Sequence, residues 1–472
     1  MKVIHTSDWH IGQTLHQFSR DEEHKYFFNQ LKDIILEEKP DALIVSGDIF
    51  HSATPTVVSQ RLYYHTLVEL SQLYDDLQII VTAGNHDSPS RLEAPRELWE
   101  AFNVTVIGNI DFYKESEENE LTFDASKVEI PVKRNDEIVG WILAIPFLNA
   151  GNYPSLKEND TYSNRVFSFY NDLKNNLKSN CQFAENHAVI AMGHFMMSGV
   201  NSNSYNKMIG GLESVAKEDI LSLKEIDYWA LGHVHHPQFV GENMRYSGSP
   251  FALTFNEIYP HSVTIVDIEN HNVDIKIREI EPLVPVVDFP SKPNSYDDAL
   301  PVDDVLRNIE EVLDNECYVR LHVKSEMALS DVTNAKIMDF FEERKAKYCG
   351  VQVYLPETKA NNSENTIRTI DEFKAISPFE LGLQYLFVKA GLCFTNESEL
   401  VPSGVELLGQ LPLLEVRPGE RIDCAEACVK ALKGNLDDVA YARICAKDPA
   451  LARLVDGNVL KSQPEQAAIG PR

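Results

Sequence analysis

Positive charge is scarce in this sequence. Lysine and arginine number 43 against 72 aspartates and glutamates, for a formal net charge of −29. Such a chain repels polyanions at long range. Any function on nucleic acid must therefore rest on a local site, on bound cations or on a basic partner. Cysteine is sparse and odd in number: Cys181, Cys317, Cys349, Cys393, Cys424, Cys428 and Cys445. With no signal-peptide pattern ahead of the first strand-like run, these read as reduced thiols in a cytoplasm rather than a disulfide framework. No run approaches the roughly 18 apolar residues of a membrane helix, so no membrane association is expected. Apolar residues still make up 43% of the chain, which excludes a mostly disordered protein. At about 150 residues per domain, the length suggests roughly three domains.

What is present alternates. Val3–Thr6, Ala42–Ser46 and Gln78–Ala83 read as short buried strands, and Asp21–Glu38 and Val57–Leu73 as amphipathic helices between them. Trp141–Pro146, Ala188–Gly193 and Tyr228–Gly232 continue the strand pattern, and Ser262–Val266 and Val273–Ile277 close it. This predicts βαβ units in an α/β core over 1–280. A proline-rich stretch, Glu281–Pro293, marks a boundary. Beyond it Val284–Phe289, Val302–Leu313, Cys317–Val323, Asp331–Lys345 and Val351–Leu355 read as a compact β-α-β-α-β domain over 281–356. A polar linker follows over 357–372, then an amphipathic helix over 373–390. The segment 391–472 shifts toward alanine, leucine, valine and glycine and reads as helical. Cys424 and Cys428 there share a helix face, with no metal-ligand spacing.

Five short segments carry the chemistry: Ser7-Asp8-Trp9-His10, Gly47-Asp48-Ile49-Phe50-His51, Gly84-Asn85-His86-Asp87, Gly193-His194-Phe195 and Gly232-His233-Val234-His235. Each ends or follows an apolar run, and ligands of open α/β folds collect at the carboxyl ends of strands. Asp8 and His10 lie two apart at a strand end, where the chain turns and both side chains can face one ion. Asp48 has two oxygens and can bridge two cations. Asn85 offers a neutral carbonyl, and His194, His233 and His235 offer imidazoles. The period-two alternation of a strand puts His233 and His235 on one face. Mixed carboxylate, amide and imidazole donors suit manganese, iron or zinc better than calcium. Two ions about 3.5–4 Å apart activate a water and clamp a phosphoryl group. Singly each segment is weak; as an ordered set they are specific.

With these motifs the sequence resembles the calcineurin-like metallophosphoesterase superfamily. Ile4-His5-Thr6-Ser7-Asp8-Trp9-His10-Ile11-Gly12, Ser46-Gly47-Asp48-Ile49-Phe50-His51, Thr82-Ala83-Gly84-Asn85-His86-Asp87-Ser88 and Tyr246-Ser247-Gly248-Ser249-Pro250 are similar to its SbcD-type nuclease branch, over about residues 1–385. The resemblance implies a layered core of two sheets flanked by helices, a smaller α+β capping domain and a helical C-terminal region. It implies a first ion held by Asp8, His10, Asp48 and His235, and a second held by Asp48, Asn85, His194 and His233. His86 would be the proton donor, with His51 assisting it. It further implies two Mn²⁺ ions, a DNA substrate, and a homodimer within a heterotetramer that includes an SbcC-type coiled-coil ATPase. Ser377-Pro378-Phe379-Glu380-Leu381 looks like the start of the region that docks on that partner.

Other residues have plainer readings. His5, His16, His24, His65 and His187 are expected to be structural or solvated, and His236 to alternate away from its neighbours. Asp87 is expected to buttress the loop. Ser249 lacks a base motif nearby. Lys207 and Arg91 are expected to be ordinary loop charges, and Glu115–Glu120 a solvated loop. A small-substrate phosphodiesterase or phosphatase is the nearest rival. Phosphatases of the superfamily carry Asp-Arg-Gly after Gly-Asp and end the third motif in Glu, whereas His51 and Asp87 stand here. A non-catalytic scaffold for an ATPase has no need of a full ligand set.

Overall fold

The computed structural model describes residues 1–356 apart from 111, 116–119, 150–151, 154–160, 201–213, 310–314 and 343. The expected linker, the docking helix with Ser377–Leu381, the cysteines from Cys393 onward, and Lys207 lie outside the described residues.

The chain begins with four parallel strands in sequence order: β1 (Lys2–Thr6), β2 (Ala42–Ser46), β3 (Gln78–Thr82) and β4 (Val104–Ile107). Helices α1 (Asp21–Glu38) and α2 (Val57–Ser71) make the first two crossovers. Thr56 caps α2 by accepting a hydrogen bond from the Ser59 N–H at 3.1 Å. Period-two alternation then divides the strands. Ile4, Leu43, Val45, Ile79 and Val81 pack with Phe27, Leu31 and Leu67 of the helices. Val3, Ala42, Ile44 and Ile80 face a second sheet.

That second sheet comprises β5 (Glu129–Arg134), β6 (Glu137–Ala144), β7 (Ala188–His194), β8 (Tyr228–Gly232), β9 (Gln238–Gly241) and β10 (Met244–Tyr246), in the order β9-β10-β8-β7-β6-β5. Helix α3 (Tyr162–Ser179) packs Val166, Phe169, Tyr170 and Leu173 into the same core. The chain then returns to the first sheet as β11 (Ser262–Glu269), antiparallel to β1, and β12 (Asn272–Glu279) at its edge. β11 outruns the expected Ser262–Val266 because Asp267 and Glu269 interrupt its apolar run, and β12 outruns Val273–Ile277 because an edge strand keeps charged residues on its open face. Asn270 and His271 join them with φ of 48° and 64°, the left-handed pair of a tight hairpin. β4, β5 and α3 escape the sequence pattern, and β6 starts four residues earlier than Trp141 because its apolar run is broken there by the exposed Glu137 and by Gly140.

A third sheet of β13 (Val286–Phe289), β14 (Leu300–Pro301), β15 (Tyr318–Lys324) and β16 (Lys347–Tyr354) is parallel throughout. Helices α4 (Val302–Asn308) and α5 (Asp331–Glu342) connect its strands. It has its own apolar cluster around Val305, Val319, Leu321 and Ile337. Leu15, Phe255, Val284, Tyr318 and Cys349 join it to the layered core. Met1–Glu357 form one compact unit. Among the described residues no helix is long and apolar enough to cross a membrane.

Candidate metal centre

Strand register brings the motif loops together. Thr6 pairs with Val45, Ser46 with Thr82, and His194 with Gly232, so the chain leaves each strand at the same end of the two sheets. The loop after β1 then runs along the loop after β2. Asp8 N–H donates to Gly47 O at 3.0 Å, His10 N–H to Asp48 O at 3.0 Å and His51 N–H to Ile11 O at 3.1 Å. Asp87 ties the third loop to the second. Its carboxylate accepts from the N–H groups of Ile49 (3.0 Å), Phe50 (2.8 Å) and Gly84 (2.8 Å), the buttressing role expected of it. Gly47 and Gly84 are required by space. A Cβ at Gly47 would overlap the His194 ring, and one at Gly84 would overlap the Asp48 backbone nitrogen and Oδ1.

The backbone is strained where the chemistry is densest. Asp8, His10, Asp48 and His233 all have left-handed φ, of 51°, 47°, 51° and 96°. Each such conformation costs on the order of 1–3 kcal/mol and persists only where the surroundings over-determine it, as at functional sites. His233 and His235 do not share a strand face: β8 ends at Gly232, and the turn at His233 sends the two rings to different partners. The period-two argument fails because the strand stops one residue too early for it.

All seven candidate ligands meet in this cleft. Asp48 Oδ2 lies 3.5 Å from His10 Nε2 and 3.5 Å from His194 Nε2. His10 Nε2 faces His235 Nε2 at 3.1 Å. Asn85 Oδ1 sits 3.0 Å from His194 Nε2 and 2.9 Å from His233 Nδ1. Asp8 accepts the His233 N–H at 3.0 Å and the Ser7 hydroxyl at 2.6 Å. One ligating atom from each of Asp8, His10 and His235 falls within 4.8 Å of the others, and the same holds for Asp8, Asp48 and His194.

Metal ions fit this donor set, and the hydrogen bonds around it show why. His194 commits its Nδ1 proton to Ser46 O at 2.9 Å, leaving a bare Nε2 lone pair aimed at the Asn85 oxygen. His235 commits Nδ1 to Glu257 Oε1 at 3.1 Å, leaving Nε2 bare toward His10. When the imidazole is neutral, His194 Nε2 and the Asn85 oxygen are both acceptors, so that pair needs a cation or a proton between them. Burial opposes charge on His194, but Asp48 outweighs it and raises the imidazole to about 9. Burial also opposes ionisation of Asp48, yet His194, His10 and His86 hold its carboxyl well below the usual range. Burial raises the Asp8 carboxyl and lowers His10, and it pushes His233 down to about 3 with help from His194. Burial, then the Asp48 charge, raises Asp87 to about 7 against its three N–H donors.

His86 and His51 line the mouth. His86 N–H donates to Asp48 Oδ1 at 2.9 Å, its Nδ1 lies 3.0 Å from His51 O, and its ring is 4.9 Å from that of His10. The rings of His51 and His86 stack at 5.9 Å. Burial and the neighbouring His86 lower the His51 imidazole.

Residues read as structural have structural partners. His24 packs both nitrogens on carbonyls, Arg20 and Trp9, each at 2.8 Å. His16 meets the Phe255 ring, His187 accepts from Trp141 Nε1, and the His236 ring packs at a tilt on Tyr259. Arg91 lies on a short helix, Pro89–Glu93, rather than in a loop. Ser249 does have a base nearby: His261 Nδ1 is 3.4 Å from its hydroxyl. That nitrogen is better placed on the Ser249 carbonyl at 2.8 Å, and Ser249 is fully buried, so no nucleophile results. Sequence reasoning missed Glu257. It carries no motif and lies 22 residues from the His235 it contacts.

A family model described as calcineurin-like phosphoesterase matches residues 1–237. The chain is 34% identical over 276 residues to the SbcD subunit of the SbcCD nuclease of Rhodobacter capsulatus, covering 57% of this chain and 66% of that protein. It is 32% identical over 280 residues to the Bacillus subtilis protein of the same name, again covering 57% and 66%. The Escherichia coli K12 protein of that name is 29% identical over 295 residues, covering 58% and 69%. The chain thus spans just under two thirds of the length of the first two relatives. On the family model and the cleft together, this chain belongs to the calcineurin-like phosphoesterase family.

Proposed function

We propose that this chain is a metal-dependent DNA nuclease of the SbcD type, hydrolysing phosphodiesters. The observation that carries the reading is Asp48 Oδ2, equidistant at 3.5 Å from one imidazole of each ligand set. In this reading Asp8, His10, Asp48 and His235 hold one divalent ion and Asp48, Asn85, His194 and His233 the other, with Mn²⁺ the ion expected. Bound there, the pair of cations supplies Lewis-acid activation of the phosphodiester and of water. The side chains do the rest. Asp48 is the residue that both ligand sets would share. His86, anchored through its N–H to Asp48 and through Nδ1 to the His51 carbonyl, presents Nε2 to the leaving oxygen as proton donor. His51 stacks on the His86 ring and limits its rotation.

The resemblance to SbcD proteins of the SbcCD nuclease supports DNA as substrate and an SbcC-type partner; a coiled-coil ATPase as that partner, with two copies of this chain in a heterotetramer, completes the proposal. The third sheet, joined to the core through Leu15, Phe255 and Val284, is read as the capping domain. The test is Mn²⁺-dependent digestion of labelled double-stranded, single-stranded and hairpin DNA, run beside bis-nitrophenyl phosphate. Cleavage of DNA by the chain, lost in Asp48→Ala, is expected. Hydrolysis of the small diester alone would assign the chain to the phosphodiesterase rival instead.

A further inference from the structure

The strap between β10 and β11, residues 247–261, passes behind the candidate metal cleft. Its Phe255 ring is covered by Arg320 of β15 at 4.8 Å and touched by His16 at 6.0 Å, so the strap is held from both sides. Glu257 lies on the inner side of this strap, only 2% exposed. An isolated buried carboxylate is costly, and this one is fully engaged. Oε2 accepts from the Leu253 N–H at 2.9 Å and the Ser249 hydroxyl at 3.4 Å, and Oε1 accepts from Thr254 Oγ1 at 3.4 Å. The remaining contact is functional in direction: Oε1 meets His235 Nδ1 at 3.1 Å, while Nε2 of the same ring points at His10. On its other side Glu257 lines a cavity of about 310 Å³ with Arg20, Phe251 and His261.

We infer that Glu257 is a positioning residue for the metal centre: it fixes the His235 ring with Nδ1 protonated and Nε2 bare, and thereby sets the affinity of one ion and not of both. The inference rests on the two-ion reading above. A carboxylate behind a ligating histidine fixes tautomer and ring orientation and raises ligand basicity, and its loss weakens metal binding by about 10–100-fold. Geometry limits the effect to one ion, since the Glu257 carboxylate meets His235 of the first ligand set, whereas His194 of the second takes its orientation from the Ser46 carbonyl.

The experiment is Mn²⁺ titration of the metal-free full chain by isothermal calorimetry, with ion content checked by elemental analysis. For Glu257→Ala, one binding step is expected to weaken by about 10–100-fold while the other stays within about threefold. Glu257→Gln keeps an acceptor of the same shape without its charge, and is expected to weaken the same step by less. If Glu257→Ala does not fold, Glu257→Gln alone decides. Equal weakening of both steps, or no change in either, overturns the inference, because the carboxylate would then serve only the strap. A wild-type chain that binds a single Mn²⁺ overturns the two-ion reading rather than this one. The inference would then stand or fall on whether that single step weakens in the order Glu, Gln, Ala.

Discussion

At Asp48 two imidazoles converge on one carboxylate oxygen, and that residue is where the site is most easily broken. Asp48→Ala is expected to lose both ions together, because the remaining ligands would leave two close positive charges without a shared anion. Elemental analysis of the purified variant checks it; one tightly held ion with full activity sinks the bridging role. His86 tests the opposite property. It contacts Asp48 only through its backbone N–H, so His86→Asn should keep both ions and lose turnover by about 10²–10⁴-fold. A fall in metal content alongside the rate would make it a ligand. His5 yields a prediction on stability. It is fully buried, with Nδ1 3.0 Å from the Tyr228 hydroxyl. Burial, then the Arg245 charge, pushes its pKa down to about 3 from the usual 6.5. Between those values the unfolded chain takes up a proton that the folded chain refuses, so stability falls as pH falls. The slope contributed is up to about 1.4 kcal/mol per pH unit. In metal-free His5→Gln, urea unfolding between pH 6 and 4 should show a shallower dependence by up to that amount. An unchanged slope would mean that His5 is already charged in the folded protein.

The motif loops are elements without regular structure, and their rigidity comes from bonds between them. Asp87 joins two of them through three backbone N–H groups that nothing else in its surroundings replaces. Each donor left unsatisfied in a buried site costs about 1–3 kcal/mol. Asp87→Ala is therefore expected to lose more than about 3 kcal/mol of unfolding free energy, and Asp87→Asn, which keeps one acceptor oxygen, to lose less. Denaturant titration of the two variants checks the order. Equal losses, or a loss under about 1 kcal/mol in Asp87→Ala, would show that the loops hold their left-handed turns without it. Burial also decides which elements are legible in sequence. Strands with both faces covered, such as Ala42–Ser46 and Tyr228–Gly232, were legible to the residue, since burial on two sides demands an unbroken apolar run. Exposed strand ends and edges, such as Glu137 and Arg278–Glu279, carry charge and were not.

For the molecule as a whole, the charge of −29 sets the terms of contact with a polyanion. Duplex binding derives much of its free energy from counterion release by lysine and arginine, and the candidate cleft is lined by imidazoles and carboxylates rather than by either. The metal-free chain alone is expected to bind duplex DNA no tighter than about 1 µM at physiological salt, in the non-specific range. Mn²⁺ should tighten binding by at least about tenfold, and pairing two chains should add effective concentration without new contacts. Fluorescence anisotropy against salt, with and without Mn²⁺, checks this. Nanomolar binding by the metal-free chain would reveal a basic surface of its own.

Residue chemistry and local periodicity were enough to name the seven candidate ligands and the layered α/β fold. A short apolar run followed at once by Asp, Asn or His places a donor at a strand end whatever the rest of the chain does. The motif spacing also carried the resemblance to the phosphoesterase family. What lay beyond local pattern is everything that depends on two distant segments meeting. The left-handed turns at Asp8, His10, Asp48 and His233 exist because neighbouring loops impose them. The different partners of His233 and His235 follow from where β8 stops. Glu257 reaches His235 only because the strap after β10 folds back behind the cleft, pinned at Phe255. Local sequence records which atoms are available; strand register and loop packing decide which of them face one another, because those distances are set by contacts far apart in the chain.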